Sequence, residues 1–83
     1  MDEKVIIKFY MVNRNTAVDL EIPTDISTID LLRALNNVYS LGIDTSDIKQ
    51  CYIKMENPIA LMRGNKLLSN YNIRNGSILF YYG

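Results

Sequence analysis

From the start of the chain, Val5, Ile7, Phe9 and Met11 fall on one side of an extended backbone and Ile6, Lys8, Tyr10 and Val12 on the other. This period of two, written in β-branched and aromatic residues, predicts a strand over residues 4–12. Asn13, Arg14, Asn15 and Thr16 follow, and asparagine tolerates the left-handed conformations of tight turns. Val18, Leu20 and Ile22 then alternate against Asp19 and Glu21, so residues 17–22 form a second strand closing a hairpin, with Pro23 as its stop.

Beyond Pro23 the period lengthens. Ser27 followed by Asp30 resembles a capping box with Asp in place of Glu, which starts a helix near Thr28. Asp30, Arg33, Asn37 and Ser40 recur at helical spacing and leave Ile29, Leu31, Leu32, Leu35, Val38 and Tyr39 as a wide apolar face. Gly42 is the expected terminator. Residues 43–49 are a polar link in which Asp44 and Asp47 serve turns or caps. In residues 50–55 Cys51, Ile53 and Met55 alternate against Tyr52 and Lys54; Asn57-Pro58 breaks this strand before a short apolar one at 59–62. A loop around Tyr71 and a tight turn at Asn75-Gly76 lead into a last strand over residues 77–82. The helix is placed to cross over between the opening hairpin and the remaining strands.

Composition narrows the class. With 83 residues the chain is expected to be one domain, residues 1–83, burying about two-thirds of its unfolded surface in one small core. Nine basic and nine acidic residues cancel, and no basic block marks a nucleic-acid binder. The longest apolar run, Ile78 to Tyr82, falls far short of the roughly 20 residues that cross a bilayer, and the start lacks the pattern of a signal peptide. A soluble, cytoplasmic protein without direct membrane insertion is expected. The one cysteine, Cys51, shares its parity with Ile53 and Met55 and reads as a small core residue. There is no histidine, so the commonest general base and metal ligand is missing. Asp44 and Asp47 alone fall short of a calcium loop, and no phosphate-binding or nucleophile motif occurs. No catalytic, cofactor-binding or metal residue is expected, and the protein is read as a non-enzyme.

One stretch carries a family resemblance. Arg63-Gly64-Asn65-Lys66-Leu67-Leu68-Ser69-Asn70-Tyr71-Asn72-Ile73, followed by Arg74-Asn75-Gly76-Ser77-Ile78-Leu79-Phe80, resembles the end of a ubiquitin-like domain, with Leu68, Tyr71 and Ile73 in the places of that family's anchors. The resemblance implies an α+β, ubiquitin-like β-grasp: a mixed sheet of four to five strands with one helix packed across one face. It also implies that the first and last strands pair in parallel at the sheet centre. Within that fold the chain is most similar to the YukD/EsaB group, bacterial ubiquitin-like proteins associated with type VII secretion. The similarity lies in Asp19-Leu20-x-Ile22-Pro23, Leu31-Leu32 in the helix, Ile53-Lys54-Met55 and Ile73-x-Asn75-Gly76.

What this resemblance implies is an accessory or regulatory subunit that docks non-covalently on protein components of a membrane secretion apparatus, recruited to the inner face of the cell membrane. A homodimer is left open. Two other readings stand beside it. A covalent modifier would act through Gly83, although bulky Tyr82 beside a single terminal glycine argues against conjugation. A small structural subunit of a multicomponent oxygenase is the other.

Aligned with the ubiquitin-like pattern, the last strand sends Leu79 and Tyr81 inward and Ile78, Phe80 and Tyr82 outward. Ile6, Tyr10 and Tyr52 point the same way, so the six side chains form a candidate protein-binding patch on the open face of the sheet. Two readings of these rings are open: a docking surface, or rings that cover their cross-strand neighbours, with a register slip of one residue exchanging the faces.

Overall fold

The alternation of the opening strand becomes a buried row: Val5, Ile7, Phe9 and Met11 are all buried, whereas Ile6 is 54% exposed. This strand, β1 (Lys4–Met11), pairs antiparallel with β2 (Thr16–Pro23) from Lys4 opposite Pro23 to Met11 opposite Thr16. A single 3-10 turn at Val12–Arg14 joins them, with Asn15 in the left-handed conformation that its side chain favours. The computed structural model describes residues 3–82.

The helix α1 (Thr28–Tyr39) begins as its sequence requires, with the Ser27 hydroxyl accepting the Asp30 N–H at 3.1 Å. Ile29, Leu31, Leu32 and Leu35 are buried and Tyr39 is half-buried, its ring 5.7 Å from that of Phe9. Val38 departs from the expected apolar face at 72% exposed. It lies on the flank of the stripe. Ile29 is on a flank too, but the loop carrying Gly64 covers it, and the Ile29 N–H donates to the Gly64 carbonyl at 3.0 Å. The end of the helix also differs from expectation. Ser40, not Gly42, takes the left-handed cap with φ 53°, and the Arg14 guanidinium donates to the Tyr39 and Ser40 carbonyls at 2.7 and 3.0 Å. A cation at the carbonyl end of a helix is favourable, so the hairpin turn is fastened to the helix terminus. Gly42, φ 76°, turns the chain two residues later.

The polar link holds the expected turns: Asp47 caps a 3-10 turn at Ile48–Gln50, and strand pairing begins at Tyr52 rather than Gln50. β3 (Tyr52–Glu56) and β4 (Ala60–Arg63) form a second hairpin, from Tyr52 opposite Arg63 to Met55 opposite Ala60. Cys51 is fully buried, with its sulfur 3.4 Å from the Asp47 carbonyl oxygen. Leu68 and Ile73 are buried on the way to the last strand, and half-buried Tyr71 places its hydroxyl 3.2 Å from the Arg63 N–H, from which it accepts.

The last strand, β5 (Ile78–Tyr81), lies between the two hairpins, parallel to β1 and antiparallel to β3. The sheet order is β2-β1-β5-β3-β4, five strands with the helix across one face. Gly76, φ 89°, turns the chain into β5 and donates to the Ile6 carbonyl at 3.0 Å. Ser77, fully buried, donates to the Asn57 carbonyl and accepts the Arg74 N–H, so its hydroxyl is paired on both sides.

Ile7→Ala and Leu32→Ala are each expected to lower stability by about 2–5 kcal/mol, since both side chains are almost completely enclosed. Ser27→Ala, which deletes only the cap, should cost about 1 kcal/mol. Denaturant midpoints of the three variants check the ranking.

Candidate functional site

The register of the two central pairings fixes which side chains meet on the open face. Ala17, Tyr10, Phe80, Lys54 and Leu61 form one row across all five strands. Their neighbours in sequence, Val18, Phe9, Leu79, Met55 and Ala60, form the facing row beneath the helix. Leu79 is fully buried and Tyr81 donates its hydroxyl to the Leu41 carbonyl at 3.1 Å, so both inward placements stand. Phe80 lies on the other side, 5.9 Å from the Tyr10 ring and 6.3 Å from the Tyr82 ring, the latter pair stacked at 20°. Such spacings suit offset aromatic packing.

All six candidate residues occupy the open face, but they fall into two groups. Tyr10, Phe80 and Tyr82 make a continuous aromatic run, and Tyr52 joins Phe80 and Tyr82 in lining a groove of about 350 Å³. Ile6 and Ile78 belong to a separate depression toward β2, which Lys8, Asp19 and Asn75 also line. Tyr82 and Tyr52 are about half exposed, and Phe80 is partly shielded by its neighbours. Tyr10 is held by its hydroxyl, which donates to Asn15 Oδ1 at 3.0 Å, and the Asn13 side-chain amide donates to the Tyr82 carbonyl.

Two contributors escaped the reading of the chain. Leu61, 43% exposed, extends the groove onto β4, and the uniformly apolar run of residues 59–62 carries no alternation that marks it as outward. Lys54 stands at the groove centre with Nζ 6.0 Å from the Phe80 centroid, at the outer limit of a cation–π contact. A smaller depression adjoins the groove through Tyr52 and Leu61 and adds Ile48, Lys49 and Arg63.

Titration is perturbed elsewhere. The Asp44 carboxyl is held below its ordinary range, first by the Ser46 hydroxyl and then by the Ser46 N–H, both of which donate to it. Slight desolvation opposes them. This is a turn, the role expected of Asp44, and Asp47 is the cap of the next one. Among the described residues no group of three His, Cys, Asp or Glu side chains is placed to hold a metal ion, and no helix is long and apolar enough to cross a membrane. Gly83, the residue on which a modifier reading turns, lies outside the described residues.

A five-stranded mixed sheet, parallel at its centre and crossed by one helix, makes this a ubiquitin-like β-grasp protein, and the solved structures agree. The C-terminal ubiquitin-like domain of mouse tubulin-specific chaperone e superposes with a TM-score of 0.72 at 13% identity, covering 99% of this chain and 90% of that one. A ubiquitin-like domain from tubulin-binding cofactor B gives 0.72 at 18% identity, covering 96% and 89%. The corresponding domain of Plasmodium falciparum Dsk2 gives 0.61 at 14%, covering 94% and 97%. Identities this low speak for the fold alone. No curated protein matches the sequence. The family model described as "WXG100 protein secretion system (Wss), protein YukD" matches residues 6–80, and the chain belongs to that family.

Because the lowered Asp44 value stabilises the fold above the ordinary carboxylate range, that contribution is lost as pH falls through the folded-state value. Ser46→Ala should move the Asp44 titration upward toward the ordinary range, as read by carboxyl-carbon NMR titration.

Proposed function

We propose that the chain, a single ubiquitin-like domain over residues 1–83, is a non-catalytic cytoplasmic subunit of the Wss secretion machinery that works by docking non-covalently on protein components of the membrane apparatus. Two considerations support the reading. Membership of the YukD family ties the chain to secretion. The carrying observation is the aromatic run Tyr10–Phe80–Tyr82 with Tyr52 and Leu61 on the one face of the sheet that the helix leaves open. Rings exposed beside a shallow groove, and held by neighbouring strands, have the composition of interface anchors. Recruitment to the inner face of the cell membrane follows from the partner and needs no membrane-inserting segment of the chain itself.

Capture with the tagged chain in its native host tests this. Components of the secretion apparatus should copurify, be released by a denaturing wash, and be lost from the Phe80→Ser/Tyr82→Ser variant while its thermal unfolding stays cooperative. Products that survive the denaturing wash with a Gly83 isopeptide remnant on lysine would overturn the reading in favour of a modifier. Capture indifferent to Phe80 and Tyr82 would remove the open face from it.

A further inference from the structure

The open face is electrostatically divided. Toward β2 the outward side chains carry both signs, with Lys8 opposite Asp19, and Glu56 lies across Ile78 at the far end of β3. Toward β4 the groove and its adjoining depression are lined by three cations, Lys49, Lys54 and Arg63, and by no carboxylate. The ion pairs among the described residues are Lys4 with Glu21 and Arg33 with Asp30, so none of these three cations has a carboxylate partner among the described residues. The chain as a whole is neutral, which makes this local excess a property of the groove and not of the composition.

We infer that the groove between β5, β3 and β4 receives an acidic peptide segment of a protein partner, one that sets carboxylates beside a large apolar side chain. This rests on the docking reading above and specifies the chemistry of the partner. The apolar anchor would seat among Tyr52, Leu61, Phe80 and Tyr82, in a volume of about 350 Å³ that is ample for a side chain. The flanking carboxylates would meet Lys54 at the centre and Arg63 and Lys49 at the rim, where charge complementarity selects the partner and speeds encounter. Arg63 is free for a bidentate carboxylate contact, since its link to Tyr71 uses only backbone atoms. A nucleic acid is also anionic and stacks on aromatic rings, but three cations on a neutral chain supply too few phosphate contacts for a tracking groove.

The test is to pan a phage-displayed random peptide library against the full chain and measure the enriched peptides by fluorescence anisotropy. Enriched sequences should be net acidic with an aromatic or aliphatic anchor. Their affinity should fall about tenfold or more in the Lys54→Glu/Arg63→Glu variant, and in part in Lys54→Gln. It should also weaken between ~20 and ~500 mM NaCl, as exposed charge contacts are screened. Peptides without an acidic excess, or bound equally by the charge-reversed variant, overturn the inference. If those peptides still lose binding in Phe80→Ser, the docking face stands and only its charge assignment fails; if they do not, both fail. An absence of enriched peptides, or a labelled oligouridine that displaces them, overturns it as well.

Discussion

Everything in this fold is arranged around the parallel pairing of β1 with β5, strands from opposite ends of the chain. A parallel pair cannot be closed by a tight turn, so a crossover has to carry the chain between them, and α1 covers the sheet in doing so. The join is held at its entrance as well as along its length. Ile6 N–H donates to the Asn75 side chain at 2.8 Å, Gly76 N–H donates to the Ile6 carbonyl, and Lys8 N–H donates to the Ser77 carbonyl. Because the Ser77 hydroxyl also reaches the Asn57 carbonyl, the same turn is tied to the β3–β4 hairpin. One buried serine thus connects the three elements that bring the sheet together.

That constraint extends directly to the open face. In a strand the side chains alternate, so seating Leu79 against Phe9 beneath the helix places Phe80 against Tyr10 above it. A slip of one residue would bury Phe80 and expose Leu79, at the expense of a core row that runs through all five strands. The aromatic run is therefore held by the same register as the core. Tyr10 and Phe80 sit on strands and not on a loop, so a partner docking as proposed would meet rings already ordered, at reduced cost of association.

Much of this was legible because the strongest signals are periodic. The alternation in β1, the helical spacing from Ile29 to Leu35 and the Leu68, Tyr71 and Ile73 anchors each report a face that must be buried, and each is buried or half-buried in place. Even the parity of the last strand, apolar on both sides, came out correctly once its alignment with the β-grasp pattern was taken. The misses concern features that depend on what lies across from a residue. Val38 has the chemistry of a core side chain but no element over it, whereas Ile29 on the opposite flank is covered by a loop distant in sequence. Ser40 ends the helix where Arg14 binds its last carbonyls, an interaction between segments that no local pattern encodes. Leu61 and Lys54 join the candidate surface only once the order β5-β3-β4 sets them beside Phe80.

The same order separates what the fold dictates from what this chain has chosen. Domains of 13–18% identity share the architecture, so the sheet and helix demand little more than inward apolar rows. The outward rows are under no such demand, and ordinary solvation would favour polar side chains there. On the β2 side this chain meets that expectation in part, with Lys8 opposite Asp19 beside the outward Ile6 and Ile78. On the β4 side it places Phe80, Tyr82, Tyr52 and Leu61 around Lys54, which has no ion-pair partner among the described residues. That arrangement lies outside the buried row, in which Phe9, Leu79 and Met55 pack beneath the helix. A half-face that is both apolar and cationic is the feature on which the proposed docking rests.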